Sequence, residues 1–291
     1  MLADEISLPF SIHAAMRSIR RRDDGRKYDE YLKELAQAEG IESPTREQLA
    51  RWDRKRKKKA SNKDWMSPSD PDARITKMKD GRTHLAHKAE HAVDLASGAI
   101  VAVTLQAADQ GDTATVRETL KEAQVHAKLV NERGVEELAA DKDYHGGAAL
   151  VAMHRDSVRS YIPEPDRGRR RWQGRETEQQ RVYANRRRVE GRRGKQLQKL
   201  RPELTERSFA HMYETGGMRR VHLRGRDNIV KRLLIQAVGF NLALMMRAKY
   251  GMGKPRSLGT GFDPLLAVRI AIAVLYQAWM ADNGEFESRA A

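Results

Sequence analysis

Two acidic residues that lie far apart in the sequence are the strongest candidates for chemistry. Asp141 follows the short apolar run Leu138–Ala140 in LAADKDYH, at a point where a strand is expected to end. Glu206 lies in TERSFAHM, at the predicted start of a helix that continues into an arginine-rich segment. Hard divalent cations take carboxylate ligands, and two such ions about 4 Å apart support in-line displacement at a phosphodiester. This pattern predicts a Mg²⁺ or Mn²⁺ site that acts on nucleic-acid phosphates.

Spacing alone leaves other roles open for these residues. Asp143 competes with Asp141 for the position at the strand end. An aspartate after a strand commonly caps a turn, and an isolated helical glutamate such as Glu206 is commonly solvated.

The composition favours a polyanionic partner. The 291 residues include 55 Lys plus Arg and 40 Asp plus Glu, which gives a formal net charge of +15. A charge of this sign and size favours nucleic acid. The absence of cysteine excludes disulfides and cysteine-ligated zinc. Charged or polar residues interrupt the apolar segments Ile229–Met246 and Leu265–Met280, which we therefore predict to be buried helices and not membrane spans.

The elements that must position the two acids follow from hydrophobic periodicity. The pattern predicts two charged helices before residue 60, one in KYDEYLKELAQAEG and one capped by Thr45. An antiparallel hairpin with a turn at Ser97-Gly98 follows. Beyond it we expect a helix over Thr113–Glu132, a strand over Val135–Ala140, a helix over Ala148–His154 and a strand over Ser157–Ile162. This order predicts an α/β layer arrangement.

Two further segments carry possible binding groups. Residues 166–201 are dense in arginine and poor in aliphatic residues, so we expect a basic helix or a mobile insertion, with Trp172 and Tyr183 available to stack on bases or to anchor packing. His84, His87 and His91 lie in THLAHKAEH. A helix would allow them to bind a metal together, but the predicted strand places them on differing faces.

Several blocks resemble the DDE transposases of bacterial insertion sequences, in the branch whose RNase H-like domain is interrupted. The blocks are AAMRSIRRRDDG (14–25), SPSDPDAR through ASGAIVA (67–102), ADKDYH (140–145), RSYIPEP (159–165) and ERSFAHMYETGGMRR through LALMMR (206–247). Together they span most of residues 14–255, and the second and last blocks are long and specific.

The resemblance implies an RNase H-like mixed sheet flanked by helices, with helical basic insertions. It implies a bacterial, cytoplasmic, nucleoid-associated enzyme that cuts DNA at transposon ends, joins those ends to a target, uses Mg²⁺ or Mn²⁺ and acts as a homo-oligomer. Asp141 takes the place of the family's second acidic ligand, and Glu206 takes the place of the third. The residues expected at DNA are Arg169, Arg170, Arg171, Arg186, Arg187, Arg188, Arg219, Arg220 and Arg224.

The chain departs from the family at its first strand, which we expect to be missing or altered. The family's first aspartate falls at Ile6 here, and the sequence beyond Arg256 is foreign to the pattern. A truncated chain is expected to lose metal affinity, so a non-catalytic DNA-binding protein and an RNase H-like nuclease are the alternatives. The expected regions are 1–66 (first strand and basic helical insertion), 67–165 (core with Asp141), 166–202 (arginine-rich insertion), 203–255 (helices with Glu206) and 256–291 (tail with an apolar helix).

Overall fold

The chain forms a mixed α/β structure in which small sheets are flanked by helices. The computed structural model describes residues 18–57, 60–77, 83–168 and 170–251, and the backbone of residues 2–7. The strands are β1 (Leu2–Ser7), β2 (Arg20–Arg21), β3 (Trp65–Met66), β4 (Arg74–Lys77), β5 (Thr83–Val93), β6 (Ile100–Ala107), β7 (Glu137–Ala139) and β8 (Arg159–Tyr161). The α-helices are α1 (Tyr28–Ala38), α2 (Arg46–Lys55), α3 (Asp112–Lys128), α4 (Gly147–Arg155), α5 (Glu176–Glu190), α6 (Arg192–Ala210) and α7 (Arg226–Tyr250).

Strand β5 is the centre of the largest sheet. On one edge it pairs antiparallel with β1, and on the other with β4 and β6. Ala86 pairs with both Ser7 and Arg74, which places β1 and β4 on opposite edges of β5. The predicted hairpin is confirmed, because β5 and β6 are antiparallel and Gly98 adopts a φ of +75° in the turn between them.

A first strand is present. Residues 2–7 form β1, so of the two expected outcomes, a missing or an altered first strand, the strand is not missing. Ile6 pairs with His87 of β5. The position expected for the family's first aspartate is therefore part of the central sheet.

The two faces of β5 are both covered. Because side chains alternate along a strand, Lys88 and Glu90 share one face and His87 and His91 share the other. Lys88 donates a hydrogen bond to Thr115 of α3 at 3.0 Å. On the opposite face, His91 is hydrogen-bonded to the Ser208 hydroxyl of α6 at 2.6 Å. The sheet is therefore enclosed by α3 and α6, which explains why nearly the whole of β5 is buried.

The strands predicted near Val135 and Ser157 are confirmed as β7 and β8, which pair in parallel. Helix α3, which precedes β7 in the chain, and helix α4, which lies between β7 and β8, are also present as predicted. Their apolar faces form the main core with residues from the sheet and α5. Its buried members include Val116, Leu120, Leu150, Ile162 and Val182.

The amino-terminal helices are confirmed and form a separate aromatic cluster. Helix α2 begins after Thr45, whose hydroxyl accepts a hydrogen bond from the Gln48 amide at 3.3 Å. Tyr28 of α1 packs edge-on against Trp65, with ring centroids 4.9 Å apart. The Tyr28 hydroxyl is hydrogen-bonded to Asp53 of α2, which joins the two helices.

The carboxy-terminal helices differ from expectation in two ways. Helix α6 begins at Arg192 and runs through Pro202 to Ala210, so Glu206 lies near its end and the prediction that it starts a helix is wrong. Helix α7 was expected to be buried, but one of its faces is exposed. The second predicted apolar helix, Leu265–Met280, lies outside the described residues. The chain divides into two compact units, 1–242 and 243–291.

Candidate nucleic-acid site

Asp141 stands at the carboxyl end of the parallel pair. Strand β7 ends at Ala139, and Asp141 is the residue that caps the short 3₁₀ helix Lys142–Tyr144. Its side chain accepts a hydrogen bond from the Lys142 amide at 2.6 Å and is half-buried. The strand-end position is as predicted, and the capping role is the alternative that spacing had left open.

The residues behind Asp141 are buried polar groups. Tyr144 is 1% exposed and His145 is fully buried. Burial, followed by the nearby carboxylates of Glu90 and Asp112, raises the pKa of Tyr144 above its ordinary value, and Asp141 contributes in the same direction. The turn that carries Asp141 is therefore seated beside the acidic groups of β5 and α3.

The surroundings of His145 disfavour its charged form. Burial lowers the pKa of the His145 imidazole, and neither ring nitrogen has a hydrogen-bond partner among the described residues. The sequence of the ADKDYH block gives no sign that its last two side chains point inward.

Glu206 lies on the outer side of α6. Thr205 and Ser208 are buried, whereas Glu206 is exposed. Leu197 is the α6 residue that packs with Ala139 of β7. Glu206 is nine residues further on, about 13 Å along the helix axis.

The described residues contain no group of three or more His, Cys, Asp or Glu side chains arranged to hold a metal ion. The three histidines of THLAHKAEH lie on β5, with His84 on the opposite face from His87 and His91.

A buried pair that the sequence did not reveal lies beside the first strand. Asp70 and His87 are each 2% exposed, and a carboxylate oxygen of Asp70 is 2.9 Å from His87 Nε2. The second oxygen, Oδ1, has no hydrogen-bond partner among the described residues. The only sequence signal was the DPDAR block itself, since nothing local indicates that Asp70 reaches β5.

The nine arginines expected at DNA fall into different environments. Arg170 and Arg186 both pair with Glu164, at 3.1 and 2.7 Å. Arg188 donates to the Ser160 carbonyl at 2.9 Å, and so attaches α5 to β8. These three cations have structural partners.

The other predicted cations lie at the surface or outside the described residues. Arg219 is exposed and pairs with Glu214. Within the described part of the chain, no carboxylate pairs with the exposed side chains of Arg171, Arg187, Arg220 and Arg224. Arg169 lies outside the described residues. The four exposed arginines are therefore the ones whose charge is most available to a phosphate backbone.

The aromatic side chains of the arginine-rich segment pack on each other. Trp172 and Tyr183 meet edge to face, with centroids 6.1 Å apart. Arg170 lies over the Trp172 ring and Arg186 over the Tyr183 ring. Their cation–π contacts favour the packing role over free stacking on bases.

No protein-family model, no curated protein and no solved structure matches this chain significantly.

Proposed function

We propose that this chain is a DNA-binding protein of the RNase H-like, DDE transposase type, associated with the nucleoid in a bacterial cytoplasm. The observation that carries the proposal is the strand order together with the place of Asp141. Strands β1, β5 and β6 are antiparallel, α3 follows them, and the parallel pair β7–β8 comes next, with Asp141 two residues after the end of β7. The formal charge of +15 supports DNA as the partner.

Metal-dependent cleavage and strand transfer would need a Mg²⁺ or Mn²⁺ site built from oxygen ligands. The residues present do not fit that requirement. Ile6 stands at the position of the first carboxylate, Glu206 is exposed on α6, and the described residues form no group of three metal ligands. We therefore propose that this chain holds DNA, while cleavage and joining require a carboxylate that it lacks.

We propose that binding to DNA is electrostatic and tolerates different DNA sequences. Arg187 is on α5, Arg171 precedes that helix, and Arg220 and Arg224 lie in the loop before α7. Arginines on separate segments can follow a phosphate backbone, and each neutralised phosphate releases counterions. Affinity should therefore fall steeply as salt is raised.

The first prediction concerns the salt dependence of binding. The double variant Arg171→Gln/Arg187→Gln should lower the slope of log Kobs against log salt by about 2 on duplex DNA, because each lost contact removes about 0.9. Fluorescence anisotropy between 50 and 300 mM salt, roughly the range in which such contacts are resolved, measures the slope.

The matched control is Arg175→Gln/Arg193→Gln, which removes the same charge. Arg175 pairs with Glu178 at 2.5 Å and Arg193 pairs with Glu137 at 2.7 Å. For this control, the slope of log Kobs against log salt should fall less than for the Arg171/Arg187 variant. Equal slopes for the two variants would show that net charge alone holds DNA and that the exposed arginines have no special role.

The second prediction concerns the missing carboxylate. In a nicking and joining assay with Mg²⁺ or Mn²⁺, the variant Ile6→Asp should exceed the unmodified chain by about 100-fold, the size of effect that one electrostatic group contributes to such a reaction. Adding Asp141→Asn should abolish the gain, whereas adding Glu206→Gln, which replaces an exposed side chain on the outer side of α6, should leave it unchanged. Joined products would indicate a transposase, and cut products alone would indicate an RNase H-like nuclease.

Asp143→Asn is the control for the Asp141 substitution, because it removes a neighbouring exposed carboxylate of the same turn. An asparagine at 141 can still cap the turn, so the fold should persist. Strong activity of the unmodified chain that survives Asp141→Asn would remove the assigned site, whereas the DNA-binding measurement would be unaffected.

A further inference from the structure

The carboxyl end of helix α3 carries an exposed apolar patch, which consists of Val125, Leu129 and Val130. These side chains are 55, 81 and 92% exposed, respectively. Val125 and Leu129 are about one helical turn apart and lie on the same side of α3, and Val130 continues the patch into the loop that follows. Contiguous exposed apolar side chains on a folded protein commonly mark a contact with another molecule.

Hydrogen bonds hold this patch outward. The amides of Leu129 and Val130 each donate to an α3 carbonyl at 3.1 Å. At the far end of the loop, the Val135 amide donates to Gln124 Oε1 of α3 at 2.7 Å. Because both ends of the loop are attached to the same helix, the two apolar side chains cannot turn inward without breaking these bonds. A surface that is already ordered loses little conformational entropy when it binds a partner.

An open cleft of about 710 Å³ adjoins the patch, at the amino ends of β7 and β8. Three cationic and three acidic side chains line it, namely Lys128, Arg133, Arg159, Glu132, Glu136 and Asp156. The formal charges of this lining cancel, whereas the whole chain has a formal net charge of +15. A second copy of the chain therefore meets less repulsion here than at the basic parts of the surface, and a phosphate backbone gains little attraction.

The two charges that flank the apolar centre are self-complementary. Lys128 and Glu132 lie on either side of Leu129 and Val130, and both are exposed. Within the described part of the chain the nearest ion pairs are Glu122 with His126 and Arg133 with Glu136, and neither Lys128 nor Glu132 takes part in one. One cation and one carboxylate are therefore available beside the patch.

We propose that this patch binds the same patch of a second copy in a two-fold symmetric dimer. In a two-fold contact the same surface of both copies is used, and each unlike pair of residues occurs twice. Lys128 of each copy then meets Glu132 of the other, and the two ion pairs enclose an apolar centre formed by Leu129 and Val130. The dimer is independent of the proposed binding to DNA.

Sedimentation equilibrium of the full-length chain, freed of nucleic acid, tests the proposal. The chain should show a reversible monomer–dimer equilibrium, and Leu129→Ser/Val130→Ser should weaken it at least about tenfold because the apolar centre is lost. The matched control is Ile235→Ser/Val238→Ser on α7, where the side chains are 68 and 65% exposed, and it should leave the equilibrium unchanged. Circular dichroism checks that both variants fold.

A charge exchange shows whether the contact joins two copies. Lys128→Glu alone and Glu132→Lys alone should each weaken self-association about tenfold, because like charges then face each other. Mixing these two variants should restore the dimer, since the mixed dimer regains both ion pairs.

Three results would overturn the proposal: a monomer at every concentration up to the solubility limit, a dimer that the Leu129/Val130 change leaves intact, or no recovery on mixing. A dimer lost only in the α7 variant would assign self-association to α7. All of these measurements are made without DNA, so their failure is distinct from failure of the proposed function.

Discussion

Lys88→Met should destabilise the protein by about 3–5 kcal/mol, the usual cost of removing one partner from a buried ion pair. The Lys88 ammonium group is 3.1 Å from a Glu90 carboxylate oxygen and 2.5 Å from one of Asp112. Glu90 is fully buried, so the substitution leaves its charge without a cation in the core. Urea denaturation followed by circular dichroism measures the loss.

The hydrogen bonds around Glu90 explain why the charge cannot simply move into water. Thr119 donates to one carboxylate oxygen at 2.6 Å, and Thr115 donates to the other. These bonds hold the side chain between β5 and α3. Adding Glu90→Gln to Lys88→Met should therefore recover part of the loss, since it removes the uncompensated charge.

Lys121→Met is the matched control. Lys121 lies on the exposed side of α3, where the same substitution should change stability by at most about 0.5 kcal/mol. If Lys88→Met and Lys121→Met lowered stability by a similar small amount, the ion pairs of Lys88 with Glu90 and Asp112 would not hold α3 against the sheet.

Stability should also fall sharply in mild acid because of His91. Burial lowers the pKa of His91 to about 3 from an ordinary value of 6.5. The unfolded chain then binds a proton below pH 6.5 that the folded chain binds only near pH 3. The stabilisation is complete above pH 6.5 and is lost as the pH falls towards 3, with about 3 kcal/mol lost by pH 4.

His91→Gln isolates this contribution. The amide can keep the hydrogen bond to Ser208 but does not titrate, so the variant should lack this fall in stability, and the unmodified protein should lose about 3 kcal/mol relative to it between pH 7 and pH 4. Denaturant unfolding at several pH values measures the difference. His154→Gln, at an exposed position in α4, is the matched control for the substitution itself. If the free energy of unfolding changed with pH in the same way for the His91 variant and the unmodified protein, His91 would not be the cause of the loss in acid.

The predictions that succeeded rest on local patterns. The Thr45 cap, the turn at Gly98 and the alternation of β5 each depend on neighbouring residues, and short-range chemistry is enough to specify them. The same applies to Asp141, because a short apolar run followed by a polar turn ends a strand wherever the strand lies.

The failed predictions involve helix α6 and helix α7. Residues 166–201 were expected to be a basic helix or a mobile insertion, and α5 and the first half of α6 are helical. The bounds of α6 were missed because residues 192–201 carry many cations and few aliphatic side chains, so the helical period is weak there. The exposed face of α7 was missed because an apolar sequence predicts burial on all sides, whereas only the side facing Ile100 is covered.

The sequence by itself determined the basic charge, the order of strands and helices from β5 to β8 and the place of Asp141 after a strand, because these follow from composition and from periodicities a few residues long. Only the tertiary structure decided that Arg188 is hydrogen-bonded to β8 while Arg187 faces solvent. It also decided that Asp70 contacts His87 and that Glu206 is exposed. Those outcomes depend on contacts between segments distant in the chain, and no local pattern encodes which surfaces meet.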